Sequence, residues 1–334
     1  MIVAAGLTLT TAAQKTEKQV ATLQHGDQTT VFYGIDAFKS AYNAAADTLD
    51  VITLSSGEFN VPSAISKSIT IYGVGCENDS IIQRTCLNGN VILKTADQKV
   101  NGVHIEGLYS KGNITVQSVE NDPIHNLSIV KCKVNGYVYL GVDNYDCIVR
   151  QSIVNSVKGS GYAQNLLISN CHFGYDMFTL DGFDKESTIV VNHSIIKKIF
   201  YGASAAHYIN NIIFQSSLPT GSNGANNIFI TTSGTSTTET KDGSWYNMRG
   251  KDVWADEKED GNYVEDKTFE LKKTENDSVL YIGTDNTEIG LHGGQYAWNK
   301  TPVIPRITEY TIDTKNVNNG KLTVSIKAEA QTKE

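Results

Sequence analysis

The sequence predicts an all-β protein, a right-handed, single-stranded parallel β-helix with an N-terminal α-helical cap and a C-terminal β extension. Three observations predict this fold class. Short apolar segments recur roughly every 20 residues, as in proteins built from stacked repeats. The chain has 28 glycines and only 5 prolines, as expected for strands joined by tight turns. Only one segment has apolar residues at the spacing that is typical of an α-helix.

The repeat consists of two short strands joined by a bend. Within each strand the apolar residues occur at every second position. Across the bend the step between them is three residues. Six segments follow this pattern: 103–110, 127–134, 147–154, 166–173, 189–196 and 207–214. Most residues at the bend are polar and tolerate a left-handed backbone: Gly107, Lys131, Gln151, Asn170, His193 and Asn211. One such unit cannot bury its apolar face alone, so the units are expected to stack into a continuous core.

The N-terminal residues 1–25 are interpreted as a signal-like segment and linker. An apolar run ends in small residues before a polar stretch, as in a secretory signal, although the usual positive charge is missing. The alternative is a buried first strand. On the signal interpretation the protein is secreted, periplasmic or on the cell surface. The segment Ile35–Ala46 has helical spacing and is predicted to cap the stack, whose end otherwise exposes apolar surface and strand edges.

The rest of the chain divides into three regions. Residues 30–235 are predicted to form the β-helix, and 236–262 an irregular acidic loop in which Trp254 lies on a solvated segment. Residues 263–334 are predicted to be C-terminal closing β-strands rather than an independent catalytic domain. Within them, Lys321–Ala328 alternates polar and apolar residues and predicts a half-buried strand.

Three stretches carry a family resemblance: Ala37–Phe59, Ile65–Gly75 and Tyr281–Gly294. The first two resemble the capping helix and the first rungs of pectin-lyase-like right-handed parallel β-helix proteins. The third is similar to a closing motif of secreted β-helix proteins of the Bacteroidetes type. The resemblance implies the fold but leaves the activity open, because such proteins include lyases, hydrolases, epimerases and proteins without known catalysis.

Charge and cysteine content narrow the classes of partner. The net charge of −8 and the lack of a basic patch argue against nucleic acid. No apolar stretch after the N-terminus reaches the ~20 residues of a membrane span. The five cysteines have no zinc-type spacing, so no metal site is predicted. Cys76 and Cys86 are close enough in sequence to pair in an oxidising compartment, which stays open, and the other three are expected to be small buried residues.

The candidate catalytic residues suit a lyase better than a hydrolase. Glycoside hydrolysis needs two carboxylates at a fixed separation, and no such pair stands out. A lyase site with an acidic Ca²⁺ cluster and a basic residue has candidates in Asp143, Asp176, Asp181, Arg150 and Lys197. The alternative is that loop Asp residues only form turns, in which case no cofactor is needed. His193 is expected in a ladder of bend residues and His207 on an inward position, neither as a metal ligand.

Aromatic residues supply a candidate binding surface. Tyr139, Phe178 and Tyr201 each come seven residues after the third of the four aligned positions of their repeat, and Gly159 interrupts the series. If they face outward they form a strip on which sugar rings can stack, and if inward they are core. The favoured function is a secreted or cell-surface, non-catalytic β-helix protein that presents a face for glycan or partner binding. The alternative is a polysaccharide lyase or related carbohydrate-active enzyme acting on acidic polysaccharide, with Ca²⁺ as its cofactor.

Overall fold

The computed structural model describes residues 19–46, 48–78, 83–95, 100–118, 122–174, 178–201, 206–232, 242–256, 268–276, 278–318 and 321–329. Most of the signal-like segment, residues 1–18, lies outside these ranges. The described chain is a parallel β-solenoid of about eight turns, which confirms the predicted repeat architecture. No helix in the described part of the chain is long and apolar enough to cross a membrane.

Thirty strands and two helices make up the described structure. The first elements in chain order are β1 (Val20–His25), β2 (Gln28–Tyr33), α1 (Ala37–Ala44), β3 (Thr48–Leu54), β4 (Gly57–Asn60), β5 (Ser68–Gly73), β6 (Thr85–Asn88), β7 (Val91–Lys94), β8 (His104–Glu106), β9 (Tyr109–Ser110) and β10 (Ile114–Gln117). The middle turns contain β11 (Ile124–His125), β12 (Ser128–Val130), β13 (Lys133–Tyr139), β14 (Asn144–Tyr145), β15 (Ile148–Arg150), β16 (Ile153–Gly161), β17 (Ala163–Gln164), β18 (Leu166–Ser169), β19 (His172–Phe173) and β20 (Phe178–Phe183). The last elements are β21 (Ile189–Asn192), β22 (Ile195–Ile196), β23 (Ile199–Tyr201), β24 (Ala206–Ile209), β25 (Ile212–Ile213), β26 (Asn223–Ala225), β27 (Ile228–Ile230), β28 (Trp245–Met248), α2 (Gly250–Val253), β29 (Arg306–Asn318) and β30 (Lys321–Glu329).

Three sheets form the walls of the solenoid. The first has eleven strands in the order β2-β1-β3-β5-β8-β12-β15-β18-β21-β24-β26. The second has fourteen strands, runs from β4 to β28, and includes β7, β10, β20 and β23 beside its main path. The third is β11-β14-β17. All pairs from β3 onward within these sheets are parallel, so equivalent residues of successive turns stack directly upon one another.

The bend between the first and second sheets has a left-handed backbone in six successive turns. The φ angles lie between 48° and 72°, at Gly107, Lys131, Gln151, Asn170, His193 and Asn210. In the sixth turn the bend residue is therefore Asn210 and not the predicted Asn211. The pairing of β21 with β24 shows the reason. Val191 lies opposite Tyr208, so the repeat predicted at 207–214 begins one residue earlier. His207 is consequently exposed, and Ala206 and Tyr208 are the inward residues.

The core fills the inside of the coil with aliphatic side chains from every turn. One inward column is Ile105, Ile129, Val149, Ile168, Val191 and Tyr208, all buried. Burial of each such aliphatic side chain contributes about 1.5–3 kcal/mol. The five cysteines are buried free thiols, so Cys76 and Cys86 are not joined in this structure.

A second apolar cluster lies outside the coil, against the C-terminal half of the second sheet. Ile195, Ile212 and Ile228 point outward from successive strands and are nevertheless buried. They are covered by Trp254, which is fully buried against Phe214 and Phe269. Trp254 is therefore not solvated, contrary to the prediction, whereas Ala255 and Asp256 beside it are exposed. Strand β28, in the same predicted loop, pairs with β27 and continues the second sheet.

Both ends of the described chain carry antiparallel hairpins. At the N-terminus, β1 pairs with β2 and also with β3, so the hairpin extends the first sheet by two strands. Helix α1 is observed within the predicted segment, and it buries one face formed by Ala37, Phe38, Ala41 and Tyr42. The Lys67 ammonium donates to the carbonyl oxygens of Tyr42 and Ala45 at its C-terminal end. At the C-terminus, β29 and β30 pair with each other, and β30 contains the predicted strand. The prediction that this strand is half-buried is wrong for its described side chains, residues 325–328, which are exposed and include Ile326 at 59%.

Candidate functional site

A C-terminal segment covers the bends between the first and second sheets. We call residues 282–303 the strap. It runs along the solenoid against the order of the turns, from Ile282 beside Asn226 to Val303 beside Glu106. The bend side chains donate hydrogen bonds to carbonyl oxygens of the strap: Gln151 Nε2 to Ala297 at 2.6 Å, Asn170 Nδ2 to Leu291 at 3.0 Å and to Gly293 at 2.8 Å, and Lys131 Nζ to Thr301 at 2.8 Å.

His193 is held under the strap by an aspartate and two glycines. Its Nε2 atom lies 3.0 Å from Asp285 Oδ2 and 3.1 Å from Asn210 Nδ2. A Cβ atom on Gly293 would lie 1.5 Å from the carbonyl oxygen of Glu288, and one on Gly294 would lie 2.8 Å from His193 Cδ2. Only glycine therefore lets the strap approach this ring. Burial opposes ionisation of Asp285, yet hydrogen bonds from Thr287 and the contact with His193 hold the pKa of its carboxyl below the usual value.

The far end of the strap contacts a buried ionic cluster. Glu106 lies 3.0 Å from His104 Nε2 and 3.7 Å from Lys131 Nζ, and it accepts a hydrogen bond from the backbone N–H of Val303 at 3.0 Å. Burial would raise the pKa of Glu106, but these partners outweigh it and the pKa is lowered. The buried charge is thus paired on several sides, which stabilises the end of the strap against the coil.

A pocket of about 380 Å³ lies between the strap and the second sheet. Its inner wall is one outward column of that sheet, formed by Lys133, Ile153 and His172. The same column continues with Ile195, so the pocket lies where the second apolar cluster ends. The remaining lining residues come from the strap and two other segments: Glu77, Thr268, Phe269, Glu270, Leu291, His292, Trp298 and Lys300.

The charged and titratable groups of the pocket are two ammonium groups, two carboxylates and two imidazoles, from Lys133, Lys300, Glu77, Glu270, His172 and His292. Glu77 pairs with Lys133 at 3.8 Å and makes a closer contact with Lys300. His172 is buried, with its ring 5.2 Å from that of Phe269. Burial, followed by the nearby charges of Lys300 and Lys133, lowers the pKa of His172 to about 3. The ring is therefore neutral at physiological pH, and the two ammonium groups of the pocket are matched by two carboxylates.

The outer face of the second sheet carries aromatic residues in its middle turns. Tyr137 is 37% exposed and Phe200 is 47% exposed, on β13 and β23. On β16, which lies between these two strands, Lys158 Nζ is 5.2 Å from the centre of the Tyr137 ring. Phe183 on β20 is not part of this face, because it packs against the core over Gly159, where a Cβ atom would lie 2.3 Å from its ring. We call Tyr137, Tyr139, Lys158 and Phe200 the aromatic face.

The residues of the predicted strip occupy different positions. Tyr139 faces outward, half-buried, and its hydroxyl lies 2.8 Å from Ser160 Oγ. Phe178 points into the core, with its ring 4.1 Å from that of Phe173. The side chain of Tyr201 is outside the described part of the structure. The column that contains Tyr139 continues with Lys158 and Asp181, not with Phe178.

The residues of the predicted lyase site are distributed over several elements. Asp143 accepts a hydrogen bond from the backbone N–H of Tyr162 at 2.7 Å and has a left-handed backbone, as in the turn interpretation. Asp181 is exposed on β20, and the guanidinium of Arg150 packs 3.7 Å from the ring of Tyr296 in the strap. Lys197 lies between β22 and β23. Asp176 lies outside the described residues. Within the described ranges, no group of three His, Cys, Asp or Glu residues is arranged to hold a metal ion.

The pocket was missed at the sequence level, although a signal for it exists. Strands in this sheet contain adjacent apolar residues, as in Ile195–Ile196, Ile212–Ile213 and Ile228–Phe229. Since successive side chains point to opposite faces, such pairs predict a sheet that is buried on both sides. In the three preceding turns the outward residue of the pair is His172, Ile153 and Lys133. The change from isoleucine to His172 and Lys133 marks where the outer apolar cluster ends and the polar pocket begins.

No protein-family model, curated protein or solved structure matches the chain. The fold and the site therefore define the class of protein, a parallel β-solenoid with a strap across its bends. The fold is consistent with the resemblance to pectin-lyase-like β-helix proteins. No match supports membership of that family or of the Bacteroidetes type.

Proposed function

We propose that the protein is a secreted, periplasmic or cell-surface β-solenoid that binds polysaccharide through the aromatic face and is not catalytic. The observation that carries this proposal is the outward placement of aromatic side chains on neighbouring strands around Lys158. Aromatic rings present an apolar surface with polar edges, which suits the faces of sugar rings. Strands in a sheet are about 4.8 Å apart, so successive turns can contact successive parts of one extended chain.

Lys158 on the same face favours an acidic polysaccharide. Lys158 stands between the tyrosines and Asp181, where an ammonium can pair with a carboxylate of the ligand. The finer fold features belong to the same proposal. Helix α1 with the β1–β2 hairpin closes the N-terminal end of a right-handed, pectin-lyase-like coil, and the β29–β30 hairpin extends its C-terminal end.

Binding to a panel of neutral and acidic polysaccharides by affinity electrophoresis tests this proposal. Tyr137→Ala and Lys158→Ala are expected to weaken retention at least about tenfold, equivalent to about 1.4 kcal/mol. The matched control is Tyr296→Ala in the strap, since Tyr296 is 38% exposed and also lies beside a cation, Arg150. Equal loss of binding in the control, or no retention on any polysaccharide, would contradict the proposal.

A separate measurement tests the absence of catalysis. The protein is incubated with the acidic polysaccharides of the panel, with Ca²⁺ and with chelator, while absorbance of unsaturated uronate products is followed. A flat trace is expected in both conditions. Absorbance that rises with Ca²⁺ and stops with chelator would establish a lyase and overturn the non-catalytic assignment.

A further inference from the structure

We propose that the outer edge of strand β2 is an interface at which two copies of this chain pair about a two-fold axis. The two β2 strands, Gln28–Tyr33 of each copy, lie antiparallel and join both first sheets into one continuous sheet. This interface lies at the N-terminal end of the coil, away from the aromatic face, and it does not depend on the polysaccharide proposal.

One side of the β2 backbone has no strand beside it. β2 is the last strand of the first sheet, and among the described residues it pairs only with β1. Antiparallel partners alternate between hydrogen-bonded and non-hydrogen-bonded pairs. Because the N–H of Gly34 donates to the carbonyl oxygen of Gln19, the even-numbered residues of β2 bond to β1 in this register. The N–H and C=O groups of Thr29, Val31 and Tyr33 therefore face away from β1.

Strand β2 lacks the features that protect most sheet edges. Natural edge strands carry charged side chains, proline or a β-bulge, or other elements cover them. The segment 28–35 contains no Asp, Glu, Lys, Arg or Pro, and the register of β2 with β1 is continuous. Val31, Tyr33 and Ile35 are 42%, 66% and 45% exposed. Such an edge favours pairing with another strand.

The sequence of β2 is complementary to itself in antiparallel pairing, which favours a second copy as the partner. A two-fold axis between the two Val31 residues places them opposite each other and places Thr29 opposite Tyr33 of the other copy. Every outward backbone group of the strand then finds a partner. β-Branched and aromatic residues form favourable cross-strand pairs, and no like charges are opposed.

Apolar side chains extend the contact at both ends of the edge. In the same arrangement the turn at residues 26–27 lies beside Ile35 of the other copy. Leu49 is 91% exposed and lies next to this turn, because Val51, two residues further on, pairs with Gln24. Contact between Leu49 and Ile35 of opposite copies removes apolar surface from water.

Charged side chains next to the edge are few and largely compensated. Asp27 of one copy and Asp36 of the other lie near each end of the paired strands. Asp36 already has Lys39 at 3.1 Å, and His25 lies 2.6 Å from Asp50. Only Asp27 adds a negative charge at each end, opposite the uncharged Ile35. Backbone hydrogen bonds and apolar contacts therefore stabilise the pairing.

Helix α1 leaves room for the second copy. It packs against β1 and β2, so the two helices of the dimer lie on the same face of the joined sheet. The centres of the two hairpins are about 10 Å apart, since strands are spaced by about 4.8 Å. Packed helices approach to about 8–10 Å. The exposed residues of α1, Ser40, Asn43 and Ala44, are small and uncharged and allow this approach.

Sedimentation velocity of the full chain over a range of concentrations tests the proposal. The wild-type protein is expected to form a dimer at micromolar concentrations. Val31→Lys and Val31→Glu each place two like charges opposite each other at the axis, so each is expected to weaken dimerisation at least tenfold. A wild-type protein that stays monomeric throughout the range would overturn the proposal and leave the edge to a strand of another protein.

Mixing the two variants tests the register. An ammonium then faces a carboxylate, so the mixture of Val31→Lys and Val31→Glu is expected to form a heterodimer. A mixture that stays monomeric shows that the two positions do not meet, and the proposed pairing fails. Single variants that remain as dimeric as the wild type show association through another surface, which also contradicts the proposal.

A matched control separates the edge from the rest of the sheet. Thr53 lies on the same face as Val31, because Thr53 pairs with Thr22 and Thr22 pairs with Val31. Thr53→Lys adds the same charge two strands away from the edge and is expected to leave the dimer unchanged. Circular dichroism shows that each variant is folded.

Hydrogen exchange of the wild-type protein is an independent measurement that needs no variant. The outward amides of Thr29, Val31 and Tyr33 are expected to exchange slowly in the dimer and rapidly on dilution. The amides of Thr30 and Phe32 bond to β1 and should change less. Equal exchange of the outward amides at high and low concentration rules out pairing at this edge.

Discussion

Single residues at the bends combine a backbone role with a side-chain role. Asn170 has a φ angle of 50°, which asparagine tolerates better than most residues, and its buried amide donates to two carbonyl oxygens of the strap. Gln151 and Lys131 have the same backbone conformation and each donates to one carbonyl oxygen. These side chains therefore attach the strap to three successive bends through its carbonyl oxygens, and the carbonyl oxygen of Leu291 also accepts the backbone N–H of Trp298.

At the same scale, His172 makes the stability depend on pH. Its pKa is about 3 in the folded protein against 6.5 for an unperturbed histidine, so between these values the unfolded chain binds the additional proton. The free energy of unfolding therefore falls as pH drops through this window, by about 2 kcal/mol from pH 7 to pH 5 for this one group.

This dependence is measured by urea unfolding of the wild-type protein and of His172→Gln at several pH values. In the variant the free energy of unfolding is expected to fall less steeply as the pH drops below 7. His207→Gln, at an exposed ring, is the control and should keep the wild-type slope. Parallel curves for wild type and His172→Gln would show that the histidine is not buried in its neutral form.

At the scale of one strand, β22 separates two apolar clusters. Ile196 points into the coil and Ile195 points outward into the cluster around Trp254, and both are fully buried. The strand is thus buried on both faces, as is usual for parallel sheets. A coil without an outer layer would expose every second residue of this strand.

Truncation of either isoleucine is expected to destabilise the protein to a similar extent. Ile195→Ala and Ile196→Ala should each lower the free energy of unfolding by about 2–5 kcal/mol, because each leaves a cavity in a packed cluster. Ile148 on β15 points outward without full burial, so Ile148→Ala is the control and should cost less than about 1 kcal/mol. If Ile195→Ala proves as mild as Ile148→Ala, the outer cluster does not form in solution.

The strands and bends were predictable because their signals are local. Alternation sets which residues face inward, and polar residues with left-handed preference mark the bends. The sixth turn was misaligned because Asn210 and Asn211 suit a bend equally well, and only pairing with the preceding turn decides between them. The orientation of Phe178 was open because alternation cannot be carried across the connection between β19 and β20.

The pocket and the strap could be predicted only in part. Adjacent apolar residues such as Ile195–Ile196 do indicate a second buried face. The strap, however, binds through its backbone carbonyl oxygens, and any residue supplies such a group. Nothing in the local pattern of residues 282–303 therefore indicates which turn each carbonyl meets.

At the scale of the whole molecule, the strap changes how the turns depend on one another. In a simple solenoid each turn contacts only its neighbours, and its ends can unfold separately. Here Lys300 reaches Glu77, Thr301 reaches Lys131, and Val303 reaches Glu106, so the C-terminal region is bound to early turns. These contacts join the turns into a more cooperative unit.

Two truncated chains test this cooperativity. A chain that ends after Ile304 keeps the strap, and one that ends after Tyr281 lacks it. Amide hydrogen exchange in β8 and β12 is expected to be much faster in the shorter chain than in the longer one, although both strands are remote in sequence from the deletion. Equal protection of these amides in the two chains would show that the strap does not stabilise the early turns.

The direction of the strap also has a consequence for the newly made chain. The ribosome releases the N-terminal turns first, and each new turn can dock on the one before it. The strap follows all the turns of the described coil in the chain, and its last residues contact early turns. The side chains that the strap later covers, such as Lys131 and Glu106, therefore stay hydrated while the rest of the coil is synthesised. The dehydration of these early turns is thus completed only after the later turns of the described coil have been made and the strap has docked.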